Sequence, residues 1–552
     1  MPAAVAYRRA PLMDPAYVPL GDAAVHTAGL QQELTDRVLA MVDVDRMNAL
    51  DAVLATKLGG YTQAPPMPDL QDAEMLLPAK GAAFAQNVRA ASMIASMNRD
   101  REGMMSALGA MRALYTALPG MSEAQLFCIG ADVLRVAVDL YRRTGQRFLL
   151  SLMESLRSRL PDVSGLMHMF PFQTQYQPDV GVAAKGDQGY FERMERFATG
   201  KLMADSVAMT ALLSQYSGSG RDAAAAKVGL TAIKRYHGMP TGAFAADPYL
   251  AGRDPSRAAD LEAVCAQAEA LLDALAASGD LMMAEQLEML LVNVLPDLVT
   301  PKGLRAMSPV NRLADDDSCT AAAPEPAEVS ALLRALYAVR RAVWMNADDQ
   351  TLAYLLPVSG GCRTKLSGVP VRLTAEVRGV FRQEIAIRFE CREPVNCTLR
   401  LRIPGYADNA RLAVNGEKQQ PAPKGQLAEV RRTFHNGDMI VVQLDISPRM
   451  ENGHRGSVSM YVGARLMALA LPEKGMDWRY ALLRQAAPAG TEDGGVPYAL
   501  VAACEAVGWE QRNGFILPPP QGILMNDAYE LTLMPFAGTS GRIAAFPCVQ
   551  ER

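Results

Sequence analysis

The hydrophobic period of this chain changes close to residue 350, and one uniform fold class cannot satisfy both periods. Before that point, windows rich in Ala, Leu and Met place apolar residues at i, i+3, i+4 and i+7, the pattern of an amphipathic helix. Leu126–Arg143, Phe148–Leu160, Lys201–Tyr216, Arg221–Tyr236, Leu261–Ala277, Met282–Val294 and Glu328–Met345 are the clearest, and good helix formers dominate them. After it, apolar and polar residues alternate in Val371–Val377, Glu384–Phe389, Thr398–Ile403, Ala410–Val414, Met439–Leu444 and Ser457–Tyr461, which predicts strands. Turn signals at Pro404-Gly405, Asn415-Gly416 and Asn436–Asp438 separate them, as in an antiparallel sandwich. The expectation is a multidomain chain, α then β. A helical domain over 1–350 precedes a β-sandwich domain over 351–470 and a Pro- and Gly-broken C-terminal β module over 471–552.

The helical half carries a weak repeat. Leu140–Arg147, Ser214–Arg221 and Leu275–Asp280 each join two helical windows, and each holds a Gly where the first helix should end. The left-handed conformation at that position costs Gly nothing. Such hairpins build either a closed toroid of paired helices or an open solenoid.

Bulk properties exclude several roles. With 552 residues the chain exceeds one core, so two or three domains are expected. A net charge of −4 and a pI near 5.9 give no electrostatic footprint for nucleic acid. The basic pairs Arg378/Arg382 and Arg431/Arg432 fall inside apparent strands and read as solvated faces. No apolar run approaches the roughly 20 residues of a membrane span, and Arg8-Arg9 lacks the apolar stretch of an export signal. The eight cysteines are dispersed without CxxC spacing, so reduced thiols and a cytoplasmic location are expected. A homo-oligomer is compatible with all of this.

In the β half, Leu399-Arg-Leu-Arg-Ile-Pro-Gly-Tyr406, Leu412-Ala-Val-Asn-Gly-Glu417 and Thr433-Phe-His-Asn-Gly-Asp-Met-Ile440 follow one another in order. Further on come Gly463-Ala-Arg-Leu-Met467, Gly508-Trp-Glu510, Pro518-Pro519, Leu531–Thr539 and Ile543-Ala-Ala-Phe-Pro547. This series resembles glycoside hydrolase family 127, the β-L-arabinofuranosidase family. Looser similarity reaches the helical half through Cys265–Leu295 and Ser318–Leu336. The resemblance implies an (α/α)6 barrel ahead of the β-sandwich modules, and a carbohydrate partner.

It also implies a chemistry in which a zinc-bound cysteine thiolate attacks the sugar and a glutamic acid protonates the leaving group. Zinc would lower the thiol's pKa, and the acid would act as in carboxylate glycosidases. The ligands come from a Glu-x-Cys motif and a later Cys-Cys pair whose first member is the nucleophile. Here the first motif reads Ala263-Val264-Cys265, with Glu262 one residue early but on the same helical face as Cys265. The second reads Ser318-Cys319, placing a serine at the nucleophile position. Serine is a poor nucleophile without a base.

The family's Gly-Glu-Ala-Phe stretch reads Thr241-Gly-Ala-Phe244, so Gly242 stands at the acid/base position. Its Gly-His-Ala-Val motif reads Ala204-Asp-Ser-Val207, with Asp205 for the sugar-binding His. Of the implied metal ligands, Cys265 and Cys319 remain, so zinc is a possible cofactor and its absence the preferred reading.

Read without the family, Cys265 is a small buried hydrophobe, Asp315–Asp317 an acidic loop or helix cap, and Asp247 and Asp254 solvated loop charges. The expected function is a glycoside-hydrolase-like protein with a degenerate zinc-thiolate site and a non-catalytic carbohydrate-binding or assembly role. Alternatives are an active furanoside hydrolase that recruits Glu262 or Asp205, and a polysaccharide lyase using Tyr236 and His237, for which only fold analogy speaks.

Overall fold

The computed structural model describes residues 9–21, 24–43, 46–59, 65–70, 81–173, 198–247, 249–301, 303–312, 320–321, 324–471, 479–483, 489–493, 496–505, 507–512, 515–519, 528–539 and 541–549. Its helices are α1 (Leu30–Ala40), α2 (Ala49–Leu58), α3 (Gly81–Asn98), α4 (Arg101–Ala117), α5 (Glu123–Thr144), α6 (Phe148–Arg159), α7 (Val163–His168), α8 (Gly200–Ser217), α9 (Gly220–His237), α10 (Leu261–Ser278), α11 (Leu281–Met289) and α12 (Pro326–Val343). Most begin on a polar side chain that accepts from the first free amides: Asn48, Asp100, Ser122, Asp162, Thr199, Ser219, Asp260 and Asp280. The three glycines singled out in the hairpins, Gly145, Gly218 and Gly279, cap α5, α8 and α10 at φ of 72°, 63° and 71°.

The window read as one helix over Met282–Val294 is broken by a π-helical turn, Leu290–Val294, before Leu295–Leu298. Pro296 has no N–H to continue the ladder, which accounts for the change of winding.

Packing runs in a closed order: α2 on α3, α3 on α5, α5 on α8, α8 on α10, α10 on α12, and α12 back on α2. A second set lies against these, α4 on α3, α6 on α5, α9 on α8, α11 on α10 and α1 on α12. Burial separates the two sets. α8 and α10 are buried on nearly every face, as inner helices must be, whereas α9 and α6 bury one stripe. Ser330 of α12 donates to Asp51 of α2 at 2.6 Å, sealing the last junction of the order.

The β region after Trp344 forms two facing sheets. One has five strands in the order Val18–Pro19, Trp344–Asn346, Thr351–Tyr354, Val395–Arg402, Leu427–Phe434. The other has seven: Gln420–Pro421, Asn409–Val414, Met439–Asp445, Arg382–Cys391, Val369–Arg378, Gly360–Leu366, Val25–Thr27. Phe389 of one stacks on Phe434 of the other with centroids 4.7 Å apart, so the sheets share a core. Within these two sheets pairing is antiparallel except between Thr351–Tyr354 and Val395–Arg402.

Two features correct the expected domain limits. Val18–Pro19 and Val25–Thr27, at the start of the chain, complete one edge of each sheet, so the sandwich is not confined to 351–470. Ser457–Val462 and Arg465–Leu471 pair with the C-terminal strands, and Arg449–Asn452 pairs with Ser457–Val462, so none joins the sandwich and the break falls after Asp445. Two- and three-residue strands carry no readable period, which hid the first. The second was hidden because strand alternation continues unchanged across the boundary.

The modules are fastened to the helical domain by buried polar side chains. Glu288 of α11 accepts from the Arg402 guanidinium and from Tyr406 Oη at 2.6 Å. Asn293, in the π turn, donates to Ala464 O and accepts from Leu466 N, both at 2.9 Å. Asn311 makes the same pair of bonds with Ala545 O and the amides of Ala544 and Ala545. Asp297 takes a two-pronged bond from Arg542 at 2.7 and 2.6 Å, with Arg305 and Ser308 at 2.7 Å each. Burial pushes the Asp297 carboxyl up, but Arg542 and Arg305 outweigh it and hold the group below its ordinary value.

Candidate functional site

Polar residues recur at helical spacing on otherwise apolar inner helices, and these stripes converge. α5 carries Cys128, Asp132 and Arg135; α8 carries Lys201 and Asp205; α10 carries Glu262, Cys265, Glu269 and Asp273. Positions i, i+3, i+4 and i+7 share a helix face, and that face looks into the ring. Arg89 of α3 reaches Glu269 of α10 at 2.8 Å although α5 and α8 lie between them in the packing order. Arg334 of α12 stands 3.5 Å from the same carboxylate. Burial works against the Glu269 charge, yet Arg89, Arg135 and Arg334 bring its pKa down to about 2.

One mouth of the ring is where α8 and α10 begin, and the segment 238–260 presses on both starts. A Cβ on Gly200 would come within 2.3 Å of Ala246 Cβ and 2.8 Å of Ala263 Cβ. Asp260 caps α10, accepting from the amides of Glu262 at 2.8 Å and Ala263 at 3.2 Å. Its burial, reinforced by the charges of Glu262 and Asp247, pushes it up to about 6. Asp247 is not a solvated loop charge: it holds Arg257 at 2.6 Å and accepts from Ala258 N. Asp254 accepts from the amide and hydroxyl of Ser256 in a local turn.

Asp205 and Glu262 stand at this mouth. Asp205 is buried and pairs with Lys201 Nζ at 2.7 Å. That carboxylate, against the opposing effect of burial, carries the Lys201 ammonium up to about 12. Asp132 and Glu262 add to the same field, which gathers one ammonium and three carboxylates here. Glu262 is exposed. Cys265 is 2% exposed, and burial drives its thiol well above the ordinary value, with Glu269, Asp260 and Glu262 adding to the effect. Such a thiol is not poised as a thiolate.

Gly242 has a φ of 89°, and a Cβ there would lie 2.7 Å from Met289 Cβ. Its carbonyl accepts from Gln267 Nε2 at 2.9 Å. The aligned acid/base position is therefore closed to any side chain. His237 does not face a cleft: it is fully buried, Gly252 N donates to its Nδ1 at 3.0 Å, and its Nε2 lies 2.6 Å from Phe172 O. With Nδ1 accepting, Nε2 carries the proton, and no ring nitrogen is left for a substrate or for proton abstraction. Burial lowers its pKa, in keeping with a neutral ring. Tyr236 stacks on Phe170 at 6.3 Å.

Ser318, Cys319 and Asp315–Asp317 lie outside the described residues. Thr320 pairs with Arg305, and the adjoining Met307 pairs with Asp260, so the chain re-enters the described structure beside the same mouth. Among the described residues, no three His, Cys, Asp or Glu side chains are gathered closely enough to hold a metal ion. Of the two aligned zinc ligands, Cys265 lies among the described residues and Cys319 does not. Sequence reasoning set Cys128 aside for want of ligand spacing and passed over Lys201, Asp132 and Asp260. The signal that marks them is the polar stripe on an inner helix.

A family model described as the middle domain of GH127 β-L-arabinofuranosidase matches residues 352–446. Among solved structures, a GH127 β-L-arabinofuranosidase from Geobacillus stearothermophilus T6 is similar at a TM-score of 0.58 and 14% identity, covering 95% of this chain and 100% of that one. A GH127 β-arabinofuranosidase gives 0.57 and 13%, covering 97% and 99%. A protein described as a glycoside hydrolase gives 0.56 and 14%, covering 99% and 100%. Identities this low establish likeness of fold. No curated protein matches. Among the described residues no helix is long and apolar enough to cross a membrane.

Proposed function

Since this chain belongs to glycoside hydrolase family 127 through its middle domain, and shares the fold of β-L-arabinofuranosidases along its length, we propose that it is a carbohydrate-binding relative that has given up the family's zinc-thiolate hydrolysis. We read the closed order of helix packing as an (α/α)6 toroid whose mouth takes the sugar. The observation that carries the reading is Gly242: at a φ of 89° and against Met289, its position has no room for a proton donor. With no acid at the family's position, the departing sugar oxygen leaves poorly by the family's route. We propose that the chain works without zinc, because Ser318 stands where the aligned ligand pair has a cysteine.

The ligand class follows from the mouth. Lys201, Asp205 and Glu262 offer one charged donor and two charged acceptors, the complement of a polyhydroxylated ring. By analogy with the family, the ligand is an L-arabinofuranose-containing glycan. A lyase reading has no support in the geometry, because both nitrogens of His237 are engaged. A reducing, cytoplasmic setting and a homo-oligomer are both compatible with this role.

The test is calorimetric titration with arabinofuranose oligosaccharides beside hydrolysis of an aryl β-L-arabinofuranoside. Binding without turnover is expected, weakened at least fivefold by Asp205→Asn. Turnover above background, or no binding by any arabinofuranose glycan, overturns the proposal.

A further inference from the structure

At the opposite mouth α5, α8 and α10 end, and residues 10–19 run across those ends. Tyr141 Oη donates to Ala10 O at 2.6 Å, and the amide of Met13 donates to Gln215 O at 2.7 Å. The amides of Ala16 and Tyr17 donate to Ala277 O and Ala276 O at 3.4 and 3.0 Å. Terminal carbonyls are the negative pole of a helix, and these amides answer them.

Beneath this strap lies a cavity of about 150 Å³, bounded on the strap side by Pro15, Tyr17 and Val18. Its helical wall presents Lys57, Arg89, Arg135, Arg142, Arg143 and Arg341 against Asp139, Glu269 and Asp273. Each carboxylate already has a cation: Glu269 holds Arg89 at 2.8 Å, Asp273 holds Arg135 at 2.6 Å, and Asp139 holds Arg143 at 2.7 Å. Lys57 and Arg341 lie 5.8 and 5.4 Å from the centroid of one ring, that of Tyr337, bringing two like charges to one wall. Arg135 Nη2 and Arg341 Nε are buried and meet no acceptor. Cationic side chains thus outnumber carboxylates along this wall, and an anion in the cavity is favoured.

We propose that this strapped cavity is a second ligand site, which binds a small oxyanion through Arg341, Arg135 and Lys57. A cavity of this volume takes a ligand of roughly six to ten heavy atoms, which fits a phosphate or the carboxylate of a short hydroxy acid. Glu269 and Asp273 stand two and three turns along α10 from Glu262, so the site is distinct from the sugar mouth.

The experiment is calorimetric titration of the full chain at low salt with inorganic phosphate, glycerate and, as neutral control, glycerol. Saturable binding of at least one anion is expected, with none for glycerol. Arg341→Gln should weaken it at least tenfold while the far-UV circular dichroism is unchanged. Lys57→Met supplies the same reading should the first variant fail to fold. Phosphate alone, or glycerate alone, identifies which anion the site takes, and either supports it. No binding of either anion, glycerol binding as tightly as glycerate, or unaltered affinity in the folded variant overturns the proposal. None of these outcomes bears on sugar binding at the other mouth.

Discussion

Gly242 and Asp260 bear most directly on the chemistry, and each can be tested singly. Placing a glutamate at 242 requires a side chain at a φ of 89° and a Cβ 2.7 Å from Met289 Cβ. The backbone strain and the overpacking together should cost about 2–4 kcal/mol. Gly242→Glu is therefore expected to lower the urea midpoint without conferring turnover; a variant as stable as the parent would show that the position is open after all. Asp260 makes a pH prediction. Its folded carboxyl is raised to about 6 by burial, above an unfolded value near 4. The folded state then keeps a proton that the unfolded state has lost, so stability falls as pH rises from roughly 4 to 6 and stays lower above that window. Asp260→Asn keeps a good cap and removes the charge. It should flatten that slope and stabilise the protein by about 1–2 kcal/mol at pH 7.5, whereas parallel pH profiles would contradict the burial argument. Sequence alone exposed the glycine at 242 but not why it is there. The close approach of Met289, on a helix distant in the chain, has no local signature. Cys265 was legible as a buried hydrophobe from its apolar flanks, and His237 was misread because its two bonding partners, Phe172 O and Gly252 N, are backbone groups.

At the level of helices and strands, three of the stretches that carry the family resemblance turn out to be fastenings. Arg402 and Tyr406 of the Leu399–Tyr406 stretch bind Glu288, the Gly463–Met467 stretch binds Asn293, and the Ile543–Pro547 stretch binds Asn311. They hold β modules against the helical domain through Glu288, Asn293 and Asn311, none of which belongs to the polar stripes. A chain can thus keep them while its chemistry changes. At the buried Asp297 two guanidinium groups share one carboxylate, so its loss would take the counter-charge from both Arg542 and Arg305. Removing one partner of a buried pair costs about 3–5 kcal/mol. Asp297→Ala is expected to destabilise by that amount and to raise hydrogen exchange in Gly541–Ile543 and Met307–Pro309. Unchanged exchange there would show that the arginines find other acceptors. The helices themselves were legible from period and glycine caps. The stripes on α5, α8 and α10 were visible in the sequence too, but their meaning depends on which helices are inner, and only packing decides that.

On the scale of the whole molecule, the first residues of the chain tie the parts together. Residues 10–17 cross the ends of α5, α8 and α10, and Val18–Pro19 and Val25–Thr27 then complete one edge of each sandwich sheet. Deleting residues 1–27 should therefore lower the melting temperature and raise exchange in Trp344–Asn346 and Gly360–Leu366 as well as in the ends of the helices. Exchange confined to the helices would show that the sandwich closes without them. The order of α and β regions followed from the change of period, whereas this long-range pairing did not, because it rests on two strands of two and three residues. The central claim is that the family's scaffold persists without its hydrolytic chemistry. It is tested most directly by the turnover of an aryl β-L-arabinofuranoside by the full chain with zinc supplied in excess. The account expects a rate indistinguishable from the buffer blank, and turnover that disappears on Cys265→Ala or Cys319→Ala would contradict it.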